Sequence, residues 1–234
     1  MVTSDYTKKQ FMIEFNIKDE QKIYITGQPR NDIFKKNISK ESVFGSNVYD
    51  TKKIILFLPT YRSKGQDENT LKTIVNSLVE NKSLNDFLIE NNSIFMIKLH
   101  PQTPSFDIIN NPNFVLLRYD EVKGNQELLA IGDVLLTDYS GCFVDYALLN
   151  RPIIFYTPDE EEYISYSGKL ESDFYLVSSL CKAYNVDDLI YLLNNPNLDV
   201  SKETNRFFED PRIKNTFYSR NVYNKVIEIL RYCD

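Results

Sequence analysis

Asp133-Val134-Leu135-Leu136-Thr137-Asp138-Tyr139-Ser140-Gly141, running directly into Cys142-Phe143-Val144-Asp145-Tyr146-Ala147-Leu148-Leu149, decides the fold class of this 234-residue chain. Val134 to Leu136 is a short continuous apolar run, as expected of a strand buried on both faces. Thr137 to Ser140 is a polar break, and the apolar spacing from about Gly141 to Leu149 predicts a helix. The same succession recurs on either side. Lys22 to Thr26, Lys53 to Leu58, Ile94 to Leu99, Phe114 to Leu117 and Ile153 to Tyr156 read as further strands. Leu71 to Asn91, Gln126 to Ile131 and Asp159 to Tyr166 read as helices, followed by Val186 to Leu193, Ser201 to Glu209 and Asn215 to Arg231. Strands alternating with helices imply βαβ units and a parallel sheet. The reading is α/β: a doubly wound, Rossmann-like parallel sheet forming a single domain over residues 1–234, with C-terminal helices at about 186–231. Ser63 to Asn69, polar and containing Gly65, reads as a loop.

Composition excludes several classes. Hydrophobic residues make up 42% and charged residues 26%, an ordinary globular balance. The formal net charge of -6 argues against nucleic acid as a partner, while leaving room for a local basic site. Cys142, Cys181 and Cys233 have no CxxC spacing, and their odd number argues against a disulfide framework, so they read as cytosolic thiols. The first residues lack an apolar signal-peptide core. No run approaches the roughly 20 apolar residues that span a bilayer. HExxH, paired CxxC and GxxxxGK[ST] patterns are absent, so no metal site is expected.

The chemistry-bearing residues fall where strands end, which is where ligands collect in an open parallel sheet. His100, the one histidine, closes Phe95-Met96-Ile97-Lys98-Leu99-His100-Pro101, and Pro101 stops the strand there. In Thr26-Gly27-Gln28-Pro29-Arg30-Asn31-Asp32, Gly27 allows close backbone approach and Arg30 offers a fork of donors to a phosphate. A turn carrying a surface arginine is the plain alternative for that segment. Leu58-Pro59-Thr60-Tyr61-Arg62-Ser63 brings a hydroxyl, a phenol and a guanidinium to one edge, with Tyr61 equally suited to packing. Thr137, Asp138, Ser140 and Gly141 open a helix, where N–H groups and the macrodipole favour a phosphate. Simple N-capping by Ser140 or Asp138 is compatible with that role. The acidic run Asp159 to Glu162 reads as a helix start that complements the dipole.

These segments together resemble the C-terminal half of the CDP-glycerol:polyglycerophosphate glycerophosphotransferase family, the teichoic-acid polymerases and primases. The resemblance rests on Thr26 to Asp32, Leu58 to Arg62, Lys98 to Pro101, Leu136 to Tyr146, Arg151-Pro152-Ile153-Ile154-Phe155-Tyr156 and Asp159, within about residues 5–180. It implies the C-terminal half of a GT-B enzyme that transfers an alditol phosphate from a CDP-activated donor to a lipid-linked polymer acceptor, releasing CMP. It implies His100 as a catalytic residue. Arg62, Thr137 and Ser140 would lie near the donor pyrophosphate, with Thr60, Asp138 and Gly141 beside them and Gly27 and Arg30 on a donor-side loop. No cofactor is implied beyond the CDP-alditol substrate. A protonated His100 assisting the donor phosphates or leaving group is favoured over a neutral base. Tyr61 stands where the family commonly has Trp, and Gly141 where a second Ser is common. The family's amino-terminal, acceptor-side half, with its Trp-His-Gly stretch, has no counterpart here. Three readings stay open: a donor half that works with a separate amino-terminal domain or as a homo-oligomer, a nucleotide-binding module without turnover, and the donor half of another GT-B nucleotide-sugar transferase. The first predicts an exposed apolar patch where the other half packs, and a cytoplasmic location, peripheral at the inner face of the membrane.

Overall fold

The computed structural model describes residues 1–62, 69–118, 121–122, 124–168, 177–179, 181–197 and 199–231. The loop expected from Ser63 lies, up to residue 68, outside the described residues. Strands β1 (Lys53–Leu58), β2 (Ser93–Lys98), β3 (Phe114–Leu117), β4 (Val134–Thr137), β5 (Ile153–Tyr156) and β6 (Lys182–Ala183) form one sheet in the order β3-β2-β1-β4-β5-β6. Every pairing is parallel. The sheet is therefore doubly wound, with the order reversing between β1 and β4. Continuous apolar runs have the burial expected of them: β2 and β5 are buried at every position and β1 at all but Lys53.

The helices are α1 (Asp5–Glu14), α2 (Lys40–Phe44), α3 (Thr70–Val79), α4 (Lys82–Glu90), α5 (Asn125–Ile131), α6 (Cys142–Ala147), α7 (Glu160–Ser167), α8 (Val186–Asn194), α9 (Asp199–Phe208) and α10 (Tyr218–Arg231). α3 and α4 cover one face together with α8, while α5 and α6 cover the other with α2 and α9. Leu71, Ile74, Val75 and Leu78 form the inward stripe of α3, and Leu84 and Leu88 that of α4. Arg151 donates to the carbonyls of Ala130 and Gly132 at 2.8 and 2.6 Å, closing the C-terminus of α5 beside the entry to β5.

Several expectations need correction. Lys22 to Thr26 does not join the sheet: Glu20–Lys22 is a 3-10 turn, and Ile25 makes only an isolated parallel bridge to Val2. The single helix expected from Leu71 to Asn91 is two, because Asn81 leaves the helical conformation and its side chain accepts the Leu84 N–H at 2.9 Å, capping α4. Pro29–Lys35 is a 3-10 helix, and α1, α2 and β6 were not expected. The other elements lie within a few residues of expectation.

Candidate functional site

Where strand order reverses, the loops after neighbouring strands diverge and leave a crevice at their C-terminal ends. Here it is an open cleft of about 610 Å3, walled by Thr60 and Tyr61 after β1, Lys98 and His100 at the end of β2, Tyr139 to Cys142 after β4 and Asn125 opening α5.

Beneath the cleft lies a buried ionic cluster. Asp138, fully enclosed, accepts the Thr60 N–H at 2.8 Å, the Thr60 hydroxyl at 2.7 Å and Arg62 Nη1 at 2.8 Å. Arg62 also donates from Nε and Nη2 to the two oxygens of Asp159 at 2.8 and 3.2 Å, and from Nη1 to the Thr60 carbonyl at 2.7 Å. Burial alone would ease the proton off Arg62, but the Asp138 and Asp159 carboxylates more than reverse this and hold the guanidinium charged. The Tyr139 hydroxyl donates to Asp159 at 2.9 Å, and its ring stacks on Tyr163 at 3.7 Å. Burial, and then the neighbouring Asp159 carboxylate, keep that phenol protonated. The loops after β1, β4 and β5 are thus tied to one another through Arg62. In this arrangement Arg62, Asp138 and Thr137 form the underside of the cleft. Thr137 is fully buried, its hydroxyl 3.4 Å from both the Leu58 carbonyl and Cys142 Sγ. Burial pushes the Cys142 thiol up to about 11.

The cleft surface is shaped by other groups. Gly141 is exposed and has no atom within 4 Å of where a Cβ would stand, so a ligand can reach its backbone. Ser140 Oγ accepts the Cys142 N–H at 3.4 Å, a long capping contact that lets the hydroxyl turn. His100 opens a β-turn with Pro101 at its second position, closed by Thr103 N–H to the His100 carbonyl at 2.9 Å. Its Nδ1 accepts the Gln102 N–H at 3.2 Å, which leaves Nε2 available, and its ring faces Tyr61 at a centroid distance of 5.8 Å. Lys98 is buried, its ammonium 2.9 Å from Asn125 Oδ1, and desolvation holds its pKa below the ordinary 10.5, only partly offset by Glu127. Lys98 and Asn125 are site residues that sequence reasoning did not single out. The signal was a lone charge inside the apolar run of β2, where only a paired or functional lysine is tolerated.

The Thr26 to Asp32 segment does not line this cleft. Arg30 forks onto Asp145 at 3.0 and 3.3 Å, and Asn31 and Gln126 donate to the same carboxylate at 2.6 and 3.2 Å. Asp32 accepts the N–H groups of Tyr218 and Ser219 at 2.6 and 2.9 Å, capping α10 from a distance. Gly27 has φ +77°, and a Cβ there would stand 2.3 Å from the Tyr218 ring. Close approach does occur at Gly27, and the group that approaches is Tyr218. Among the described residues, no three His, Cys, Asp or Glu side chains gather to hold a metal ion, and no helix is long and apolar enough to cross a membrane.

A sequence profile of the CDP-glycerol:poly(glycerophosphate) glycerophosphotransferases matches residues 1–217. The chain belongs to this family. It is 31% identical over 187 residues to a teichoic acid poly(ribitol-phosphate) polymerase of Bacillus spizizenii, covering 75% of this chain and 28% of the relative. It is 36% identical over 172 residues to a teichoic acid poly(glycerol phosphate) polymerase of the same organism, covering 68% and 40%. The chain thus spans well under half the length of these relatives. Among solved structures, the wall teichoic acid polymerase TagF in its H548A form superposes with a TM-score of 0.64 at 20% identity, covering 98% of this chain and 58% of that one. The fold is therefore that of one half of a GT-B protein.

Proposed function

We propose that this chain binds a CDP-activated alditol at the switch-point cleft and supplies the donor half of an alditol-phosphate transferase. One observation supports this most: three sequence segments typical of the family, around Thr60, His100 and Ser140, are far apart in the chain yet wall a single cleft at the ligand-binding edge. In the reaction, an acceptor hydroxyl attacks the β-phosphorus, the bond from that phosphorus to the bridging oxygen breaks, and CMP departs with that oxygen. The acceptor proton is released to a base or to solvent. Lys98, the Gly141 backbone and Ser140 would hold the diphosphate. His100, with Nδ1 occupied by Gln102, would present Nε2–H to a phosphoryl or leaving-group oxygen, stabilising charge as it develops. Arg62 would act at one remove, by fixing the loops that carry Thr60 and Tyr139. The reaction would run without a cofactor, beside a membrane that bears the lipid-linked acceptor. Exposed Phe11 and Ile13 on α1 with Phe15 just past its end, and Tyr223, Val226 and Leu230 on α10, suit contact with an acceptor-side partner domain.

Calorimetric titration with CDP-glycerol, CDP-ribitol, CMP and UDP-GlcNAc tests the reading. Selective CDP-alditol binding, weakened by Ser140→Ala and Lys98→Met, is expected. Preference for the UDP-sugar, or no cytidine-nucleotide binding, would overturn it.

A further inference from the structure

Two helices carry opposite parts of the switch-point cleft wall. Ser140 and Gly141 stand at the start of α6, while Asn125 opens α5 and accepts the Lys98 ammonium at 2.9 Å. The distance between these groups depends on how the first turn of α5 is held against α6. Gly124, which precedes α5, has no side chain to cap it. The residue after Asn125 supplies an anchor instead: Gln126 Nε2 donates to Asp145 Oδ2 at 3.2 Å, 19 residues on and one turn into α6. Asp145 is buried, and Arg30 and Asn31 donate to the same carboxylate from the 3-10 helix Pro29–Lys35, which packs on α5. Charge-assisted bonds from three side chains leave that carboxylate little freedom to turn. Arg30, Asn31, Gln126 and Asp145 all stand outside the lining of the cleft.

We propose that Asp145 is a positioning residue for donor binding: through Gln126 it sets the first turn of α5, and so places Asn125 to hold Lys98 toward the diphosphate. Arg30 then serves the donor without touching it, by fixing the Asp145 carboxylate that Gln126 reaches. The device is the counterpart of the Arg62 cluster. Arg62 ties together the loops after β1, β4 and β5, and Asp145 ties α5 to α6. The inference rests on the donor reading above, because it takes Lys98 as a ligand of the donor diphosphate.

The test titrates the full chain with CDP-glycerol in four forms: wild type, Gln126→Met, Asn125→Ala and the double variant. Methionine keeps the length of Gln126 and removes only its amide, and urea denaturation checks that the fold persists; Gln126→Ala is a second variant to the same end. Gln126→Met should weaken binding about threefold or more. Added to Asn125→Ala, it should cost less than about twofold further, because it acts through Asn125. A general loosening of the fold would instead weaken binding equally in both backgrounds. The Asn125 side-chain amide, assigned by its disappearance in Asn125→Ala, should also shift in the 1H–15N spectrum of ligand-free Gln126→Met. Equal losses in the two backgrounds, an unmoved Asn125 amide, or donor affinity indifferent to either single substitution would overturn the positioning role while leaving the donor reading intact. Failure of the wild type to bind CDP-glycerol would overturn the donor reading, and the positioning role with it.

Discussion

Replacing Arg62 separates an architectural arginine from a phosphate-gripping one. In Arg62→Met the side chain keeps its length but loses all donors. Four hydrogen bonds of 2.7 to 3.2 Å disappear, and Asp138 and Asp159 are left as buried carboxylates without their cation. Removing one partner of a buried ion pair costs about 3–5 kcal/mol. For a chain of this size that corresponds to a melting point lower by roughly 6–20 °C. Urea denaturation followed by circular dichroism gives the cost directly. The second arm adds Asp159→Asn to Arg62→Met, removing one stranded charge, and should recover part of the loss through a positive coupling. Donor titration of the folded single variant completes the comparison. If Arg62→Met lowers the unfolding free energy by less than about 0.5 kcal/mol, the range of ordinary surface substitutions, yet abolishes CDP-glycerol binding, the argument from the ion cluster is wrong and Arg62 is a ligand.

Gly27→Ala forces an L-residue into φ +77° with its Cβ against the Tyr218 ring, and should cost about 2–5 kcal/mol; amide exchange should show α10 opening first. Asp32 is held below the ordinary 3.8, where burial, which raises it, is outweighed by hydrogen bonds from Ser219 and Tyr218. Its contribution is therefore present above pH 3.8 and lost as pH falls through the lowered value, and an acid titration of α10 docking should lose that step in Asp32→Asn. His100→Ala, at an exposed position, should leave the unfolding free energy from urea denaturation within about 0.5 kcal/mol of the parent. The same variant should slow transfer about 10²–10⁴-fold when assayed together with an acceptor-side domain.

Strand positions were legible because both faces of the sheet are covered, so burial writes itself into the sequence as unbroken apolar runs such as Ile54 to Leu58 and Phe95 to Ile97. The switch-point cleft was legible for a related reason: a polar residue directly after such a run stands at the ligand edge, as His100, Thr60 and Ser140 do. Direction was not legible. Arg62 follows β1 as an arginine reaching for a ligand would, yet Asp138 and Asp159 lie 76 and 97 residues on in the chain, and only the parallel register of β1 with β4 brings Asp138 beneath it. Arg30 was hidden in the same way, by Asp145, 115 residues away. The amino-terminal elements left little trace because α1 buries no residue and so carries no inward stripe.

With Arg62 outnumbered by two carboxylates, the cluster under the cleft is net negative, and attraction for a diphosphate must come from groups above it. Among the described residues that line the cleft, Lys98 is a buried cation, and desolvation, only partly offset by Glu127, lowers its pKa. A bound diphosphate would add negative charge beside the Lys98 ammonium, so donor binding should raise the pKa of Lys98. Below the lowered value the lysine is already charged. Between that value and 10.5, binding should draw a proton from solvent, and affinity should fall as pH rises. Calorimetry in two buffers of different ionisation enthalpy measures this uptake. Lys98→Met should abolish it, weaken donor binding and hold or raise stability at neutral pH, since a costly buried charge gives way to an apolar chain of similar length. Unchanged proton uptake in Lys98→Met would assign the linkage to another group and remove Lys98 from the diphosphate site.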